Sequence, residues 1–314
     1  MNAAKIESKL GFDRIRSAIA SKCATDYALE RVEKEAVSTD PAVIRKRLAL
    51  TDEMRLILMF EDNFPTVGYI DAVDFLEALK KPGVSIDVLS LAKLKTLTDT
   101  LKRLTSFFSS VKDGIYPNLK KMASSVVYFP EVQRRIETIM DRHSKIKDSA
   151  SDNLAAIRRS IREKEQGLSR RAEAILRRAQ EEGLCDDDAA VTLREGRLLI
   201  PVSTAMKRKI PGFVFGESAS GKTSFIQPAE VMELENEINE LHYREEKEIA
   251  AILREFTEFL RPYLPELLQA AVYVGETDFL MSKAQIALDY ICGMPIISSD
   301  GSLNLRKARH PLLE

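Results

Sequence analysis

Two long stretches without proline flank a shorter stretch of different character, and this arrangement limits the fold more than any other feature. In the first, apolar residues recur at steps of three, four and seven: Leu154, Ile157, Ile161, Leu168, Ala172, Ile175 and Ala179. Similar spacing precedes Pro262 in the second: Val231, Leu234, Ile238, Leu241, Ile249, Ile252, Phe256 and Phe259. This spacing predicts two long helices, each with one apolar face.

Each predicted apolar stripe has to be covered, because apolar surface exposed to water costs about 25 cal/mol per Å². The two stretches have similar lengths, and the chain has to reverse its direction between them. The simplest arrangement therefore packs one helix against the other as an antiparallel coiled coil. The residues between the two helices would then lie at one end of the helical pair.

Between these stretches the helical period gives way to short runs of β-prone residues. Ala190–Leu193 and Leu198–Val202 flank a turn at Arg194–Arg197, which predicts a hairpin. Two more strands are predicted at Gly212–Phe215 and Ser224–Ile226. We therefore expect a compact β-rich subdomain.

Elsewhere the pattern is helical, with a helix start at Asp40-Pro41, helices at Asp71–Lys80 and Asp87–Phe108, and a break at Pro82-Gly83. Ile115–Met140 contains two prolines and predicts one further helix. The predicted fold class is mainly α, with a helical core bundle, a long antiparallel coiled-coil lever and a small β-rich clamp subdomain at its tip. The predicted segments are a helical core at 1–148, an outgoing helix at 149–184, the β-rich segment at 185–228, a returning helix at 229–262 and a helical return at 263–314.

The charge distribution makes local clusters more informative than the total. The chain has 47 basic and 48 acidic residues, so bulk attraction to nucleic acid is not expected. Cations do cluster in the β-rich segment, and the predicted nucleic-acid-binding residues are Lys207, Arg208, Lys209, Lys222 and Arg197. Contacts of such side chains with phosphates depend on salt and not on base sequence. The arginines of the outgoing helix alternate with glutamates, which is more typical of a solvated helix face.

Gly216–Thr223 matches the G-x-x-x-x-G-K-T pattern of a phosphate loop at every position. In a phosphate loop the Lys and Thr begin a helix whose amides face the phosphates. Here Ser224–Gln227 has an extended pattern, and Pro228 would break such a helix after about one turn. We therefore favour a Gly-Ser turn between two strands, and nucleotide binding by this loop stays as an alternative.

The remaining reactive side chains form no recognisable site. Cys23, Cys185 and Cys292 lie far apart without a Cys-x-x-Cys pair, which argues against a zinc ribbon or a redox motif and favours a reducing, cytoplasmic setting. The three histidines are also scattered: His143, His242 and His310. We predict no catalytic centre, metal or cofactor in this chain, and no stretch has the length and apolarity of a membrane span.

Five motifs along the whole chain resemble those of the MutS family, specifically its second (MutS-II type) branch, which lacks the mismatch-reading N-terminal domains. They are Lys9–Asp13, Asp148–Ser151, Ser218–Gly221, Phe225–Pro228 and Arg309–Leu313. The resemblance implies a helical core and lever with a clamp at the apex of two long helices. Members of this branch usually carry a small residue where Lys222 stands, so this departure creates the apparent phosphate loop.

The resemblance also implies an ATPase domain beyond Glu314, with ATP and Mg²⁺ bound there and homodimerisation mainly through it. Full-length relatives are associated with branched DNA and suppression of recombination, with splitting of collided ribosomes, and with a C-terminal Smr nuclease domain. We therefore expect this chain to grip DNA or ribosomal RNA without sequence preference and to relay ATP-driven motion, without being an enzyme itself. The alternatives are a phosphate-loop NTPase and a coiled-coil scaffold that binds only protein.

Overall fold

The computed structural model describes residues 7–298, 301–306 and 308–312. The helices are α1 (Phe12–Ala20), α2 (Asp26–Lys34), α3 (Pro41–Phe60), α4 (Val73–Leu79), α5 (Val88–Ser110), α6 (Pro117–Ala123), α7 (Pro130–Ile139), α8 (Asp152–Glu181), α9 (Ala229–Leu260) and α10 (Leu264–Asp289). The strands are β1 (Thr192–Arg194), β2 (Arg197–Ser203), β3 (Gly212–Glu217) and β4 (Thr223–Pro228). The predicted fold class, mainly α with a small β subdomain, is confirmed.

The chain divides into two compact units. The core unit consists of Met1–Lys145 and Leu253–Glu314, and the sheet unit consists of Ile146–Ile252. Helix α9 contributes residues to both. In the core unit α10 packs against α1, α2, α3, α4 and α5, and its buried residues lie on every side of the helix. A helix that is apolar all round is typical of the centre of a bundle.

Local capping explains where several core helices begin. The Asp40 carboxylate accepts the N–H of Ala42 at 2.8 Å, and Pro41 occupies the first helical position of α3, so the predicted start is confirmed. Helices α6 and α7 also begin at prolines. The sequence predicted one helix between Ile115 and Met140, and the structure has two, because each proline starts its own helix.

One buried carboxylate joins the two sequence-distant parts of the core unit. Asp278 on α10 is fully buried, and its Oδ2 atom accepts the backbone N–H groups of Ala24 at 2.9 Å and Thr25 at 2.8 Å. The same oxygen accepts the Thr25 hydroxyl, while Thr25 Oγ1 accepts the N–H of Ala28 and caps α2. Burial raises the pKa of the Asp278 carboxyl. The contact therefore fixes the start of α2 on the central helix.

The sheet unit is built on α8 and α9, which run antiparallel. Cross-helix hydrogen bonds join Arg158 to Glu245 at 2.7 Å, and ion pairs join Lys164 to Glu237 and Arg171 to Glu230. Buried apolar contacts in the same helical pair involve Ile157, Ile161 and Leu241. The predicted stripes therefore face each other, and Ser151 caps α8 by accepting the N–H of Leu154.

The four strands form one antiparallel sheet in the order β1-β2-β4-β3. Each overlaps one of the four predicted strands. Glu195 and Gly196 turn between β1 and β2 with φ of 49° and 76°, as a tight hairpin requires. The core of the sheet unit combines strand residues with the end of α8, through Leu176, Ala179, Leu184, Ile200, Val202, Ile210 and Ile226.

The last part of the chain is less helical than predicted. The sequence predicted a helical return over 263–314, and α10 ends at Asp289; the described residues that follow it form neither helix nor strand. Leu313, in the last family motif, and the first residues of the predicted N-terminal helix lie outside the described residues. No helix among the described residues is long and apolar enough to cross a membrane.

We expect Asp278→Ala to lower the free energy of unfolding of the core unit by about 3 kcal/mol, because the N–H groups of Ala24 and Thr25 and the buried Thr25 hydroxyl lose their acceptor. Urea unfolding followed by circular dichroism measures this change. Asp278→Asn keeps an acceptor oxygen and should lose less. An alanine variant as stable as the parent chain would contradict this role.

Candidate nucleic-acid interface

Two interlocked loops carry four of the five predicted cations. One is the segment 204–211 after β2, and the other is the turn between β3 and β4. The N–H of Thr204 donates to the carbonyl of Lys222 at 3.0 Å, and the Thr204 hydroxyl donates to the carbonyl of Gly221 at 2.8 Å. These bonds hold Lys222 beside Thr204, at the start of the 204–211 segment.

An ion pair neutralises one of these four cations. Lys207 Nζ lies 3.0 Å from Glu217 Oε1, and the Ser224 hydroxyl donates to the same oxygen. The hydrogen bond from Lys207 holds the pKa of the Glu217 carboxyl below its usual range. Arg208, Lys209 and Lys222 are exposed, and none has an ion-pair partner among the described residues. We call these three residues the cationic loop cluster.

Arg197, the fifth predicted cation, lies elsewhere. It begins β2, whereas Lys222 lies beside Thr204, which follows the other end of that strand, about 20 Å away for a strand of this length. Its Nη1 donates to Gln227 Oε1 at 3.2 Å, and its guanidinium lies 5.3 Å from the centre of the Phe215 ring. Arg194 was not among the predicted cations, and it makes a similar contact: its guanidinium lies 3.5 Å from the centre of the Phe225 ring. The only sign of these two arginine–aromatic contacts in the sequence was the position of Arg194 and Arg197 at the two ends of the turn.

Three arginines of α8 form ion pairs within the sheet unit. Arg158 bonds Asp148 and Glu245, Arg162 bonds Asp148, and Arg171 bonds Glu230. The hydrogen bond from Arg158 lowers the pKa of the Asp148 carboxyl. These contacts agree with the interpretation of this helix as a charged, solvated face. They also give the Asp148–Ser151 motif a structural role, because its two ends hold arginines and cap α8.

The phosphate-loop alternative does not fit the geometry. Gly216–Thr223 joins the antiparallel strands β3 and β4, and the residues from Thr223 to Pro228 form β4. A phosphate loop requires a helix that begins at its Lys and Thr, and here a strand begins there. The residues that the structure describes also contain no group of three or more His, Cys, Asp or Glu that could hold a metal ion.

Because the loop is a hairpin turn, we expect no saturable ATP binding that depends on Lys222. Isothermal titration of the chain and of Lys222→Ala with MgATP measures this directly. We expect the heats of titration to be the same for the two proteins. Binding that disappears in the variant would show that the loop does hold phosphates.

No protein-family model matches the chain. It is similar to proteins named Endonuclease MutS2, with 31% identity over 307 residues in Symbiobacterium thermophilum, covering 97% of this chain and 38% of the relative. The relative from Thermomicrobium roseum is 31% identical over 328 residues, covering 99% of this chain and 40% of the relative. The one from Geobacillus is 30% identical, covering 97% and 39%. The chain thus spans about two fifths of the length of the curated relatives it matches. It belongs to the MutS family, in its MutS2-type branch.

Proposed function

We propose that this chain supplies the nucleic-acid clamp and the lever of a MutS-like ATPase. The observation that carries the proposal is the cationic loop cluster, in which two loops joined by hydrogen bonds carry three exposed cations. The relatives' name, Endonuclease MutS2, supports nucleic acid as the partner. A role in DNA repair or in suppression of recombination follows from the family.

The chemistry of the cluster favours contact with the sugar-phosphate backbone. Lysine and arginine on loops can reach phosphates, and such contacts carry no base sequence information. Each one releases a counterion, so affinity falls as salt rises. The same chemistry suits ribosomal RNA, and ribosome rescue is therefore the second target class within this proposal.

The paired helices would act as the lever. Buried contacts of Ile157 and Ile161 with Leu241 hold α8 and α9 together, and cross-helix ion pairs fix their register. A pair held along its length bends less than a single helix, which is what relay of ATP-driven motion needs. In this proposal ATP, Mg²⁺, the main dimer contact and any nuclease activity belong to other parts of the full-length protein.

We expect the triple variant Arg208→Ala, Lys209→Ala, Lys222→Ala to weaken duplex DNA binding at low salt by about tenfold or more, and to reduce the slope of log affinity against log salt by about two to three. Fluorescence anisotropy over a salt series measures both quantities. The matched control replaces three exposed lysines of the core unit, Lys46, Lys93 and Lys121, by alanine.

Equal losses in the cluster variant and in the control would contradict the proposal, since net charge alone would then explain binding. The same titration with branched DNA, duplex DNA and ribosomes ranks the targets. Preference for one of them would identify the physiological class of partner. Salt-insensitive binding, or no binding to any of them, would favour the protein-scaffold alternative.

A separate variant tests the ion pair beside the cluster. Because the pKa of Glu217 is lowered, this carboxylate stays ionised at neutral pH and keeps Lys207 engaged. Glu217→Gln should therefore free Lys207, tighten DNA binding several-fold and increase the salt slope by about one. Adding Lys207→Ala to Glu217→Gln should cancel the gain. A gain that survives in the double variant would mean that Lys207 does not contact the backbone.

A further inference from the structure

One face of the small sheet carries three phenylalanines and two arginines. Residues directly opposite each other in antiparallel strands lie on the same face, and so do alternate residues along one strand. The opposite pairs on this face include Arg194–Arg197, Pro201–Phe225 and Phe213–Gln227. Phe215, at the register shift of β3, lies on the same side, because its ring contacts the Arg197 guanidinium. We define the aromatic face by its members, which are Arg194, Arg197, Phe213, Phe215 and Phe225.

The other face of the sheet is buried, and the aromatic face is partly exposed. Ile200, Val202 and Ile226 lie on the buried side and belong to the core that includes the end of α8. On the aromatic face, Phe213 is 58% exposed. Phe225 on the same face is buried. The Phe213 ring is therefore open to a ligand.

The two arginines lie over two of the rings. The Arg194 guanidinium is 3.5 Å from the centre of the Phe225 ring, and the Arg197 guanidinium is 5.3 Å from the centre of the Phe215 ring. Both arginines are exposed. Each guanidinium therefore has an aromatic ring on one side and access to solvent, as the π-system of a second planar group requires.

The aromatic face is also cationic. Among the described residues, neither Arg194 nor Arg197 forms an ion pair, and the strand residues on this face include no acidic side chain. The nearby acid Glu195 belongs to the turn between β1 and β2, and Glu235 of α9 accepts a hydrogen bond from the Gln227 amide. A strand of nucleic acid carries the complementary charge in its phosphates.

We propose that the aromatic face binds single-stranded nucleic acid, with one unpaired base on the Phe213 ring and others on the guanidinium planes of Arg194 and Arg197. Unpaired bases stack on aromatic rings and on guanidinium groups, whereas the bases of a duplex already stack on one another. The inference rests on the proposed function, which makes nucleic acid the partner. It adds a site for unpaired bases to the phosphate contacts of the cationic loop cluster.

The two sites are close enough for one ligand to contact both. Lys222 directly precedes β4, and Phe225 is the third residue of that strand. Three residues of extended strand span about 10 Å. A nucleic acid with a duplex part and a single-stranded part could therefore place phosphates at Lys222 and unpaired bases on the aromatic face.

Tryptophan fluorescence tests the stacking directly, because the chain contains no tryptophan. Phe213→Trp places a single indole on the aromatic face, and titration with single-stranded oligothymidine should quench its emission to saturation. A duplex of the same length should need at least about tenfold higher concentration. The matched control is Leu193→Trp, since Leu193 is 67% exposed and lies on the other face of the hairpin, opposite Leu198. Equal quenching of the two variants, or no quenching of Phe213→Trp, would overturn the proposal.

Fluorescence anisotropy of labelled oligothymidine measures the same contact in affinity. Phe213→Ala should raise the dissociation constant by about tenfold, because stacking of one base is lost, and it should leave the salt slope and duplex binding unchanged. Phe213→Tyr keeps a ring and should bind like the parent chain. Val214→Ala, on the buried side of the same strand, is the control, and circular dichroism verifies that each variant folds.

The same titrations separate this inference from the proposed function. If the parent chain binds duplex DNA in a salt-dependent way and Phe213→Ala binds oligothymidine as tightly as the parent, the aromatic face is not a binding site and the proposed function stands. If the parent chain binds neither form, both proposals are wrong. Weaker oligothymidine binding by Phe213→Ala and by Val214→Ala to the same extent would also overturn the inference, because a general loss of sheet structure would explain it.

Discussion

The sheet unit depends on burying the apolar stripe of α8. The first part of this stripe, Ile157 and Ile161, is covered by Leu241 of α9. Its last part, Leu176 and Ala179, leaves the helical pair and enters the core of the sheet. One continuous stripe thus holds both the returning helix and the inserted strands. The core of the sheet therefore continues the apolar contact between the two helices. One side of that core consists of residues of α8.

Ion pairs also help to hold the sheet unit together. The arginines of α8 that pair with Glu230 and Glu245 on α9 fix the register of the helical pair, although each exposed pair contributes little free energy by itself. Lys207 is likewise engaged by Glu217. The net charge of the chain is −1, and this value conceals the difference between cations used inside the unit and the three left exposed on the loops. Only the positions of the cations in the structure distinguish those in ion pairs from those that a ligand could contact.

Periodicity and turn chemistry are local properties, and they predicted what depends on them: the two long helices, the four strands and the helix start at Pro41. Contacts between residues that are far apart in the chain produce no comparable pattern in the sequence. Asp278 is one of four acidic residues in α10. Its partners lie more than 250 positions earlier, so sequence alone could not assign it. Arg197 was grouped with the loop cations because it is close to them in sequence order, whereas the seven residues of β2 separate it from Thr204 and Lys222.

The Gly216–Thr223 segment matches the sequence of a phosphate loop, but it does not have the backbone conformation that such a loop needs to bind phosphate. A phosphate loop binds because consecutive amides point at the ligand. Here the N–H of Ser218 donates to the carbonyl of Thr223, and the N–H of Gly221 donates to the carbonyl of Ser218. The N–H of Thr223 donates to the Ser218 hydroxyl. The hairpin already uses these three amides, so they do not point at a ligand as the amides of a phosphate loop do. A single exposed ammonium suits a backbone contact in a larger cluster, and it does not suit the enclosure of a nucleotide.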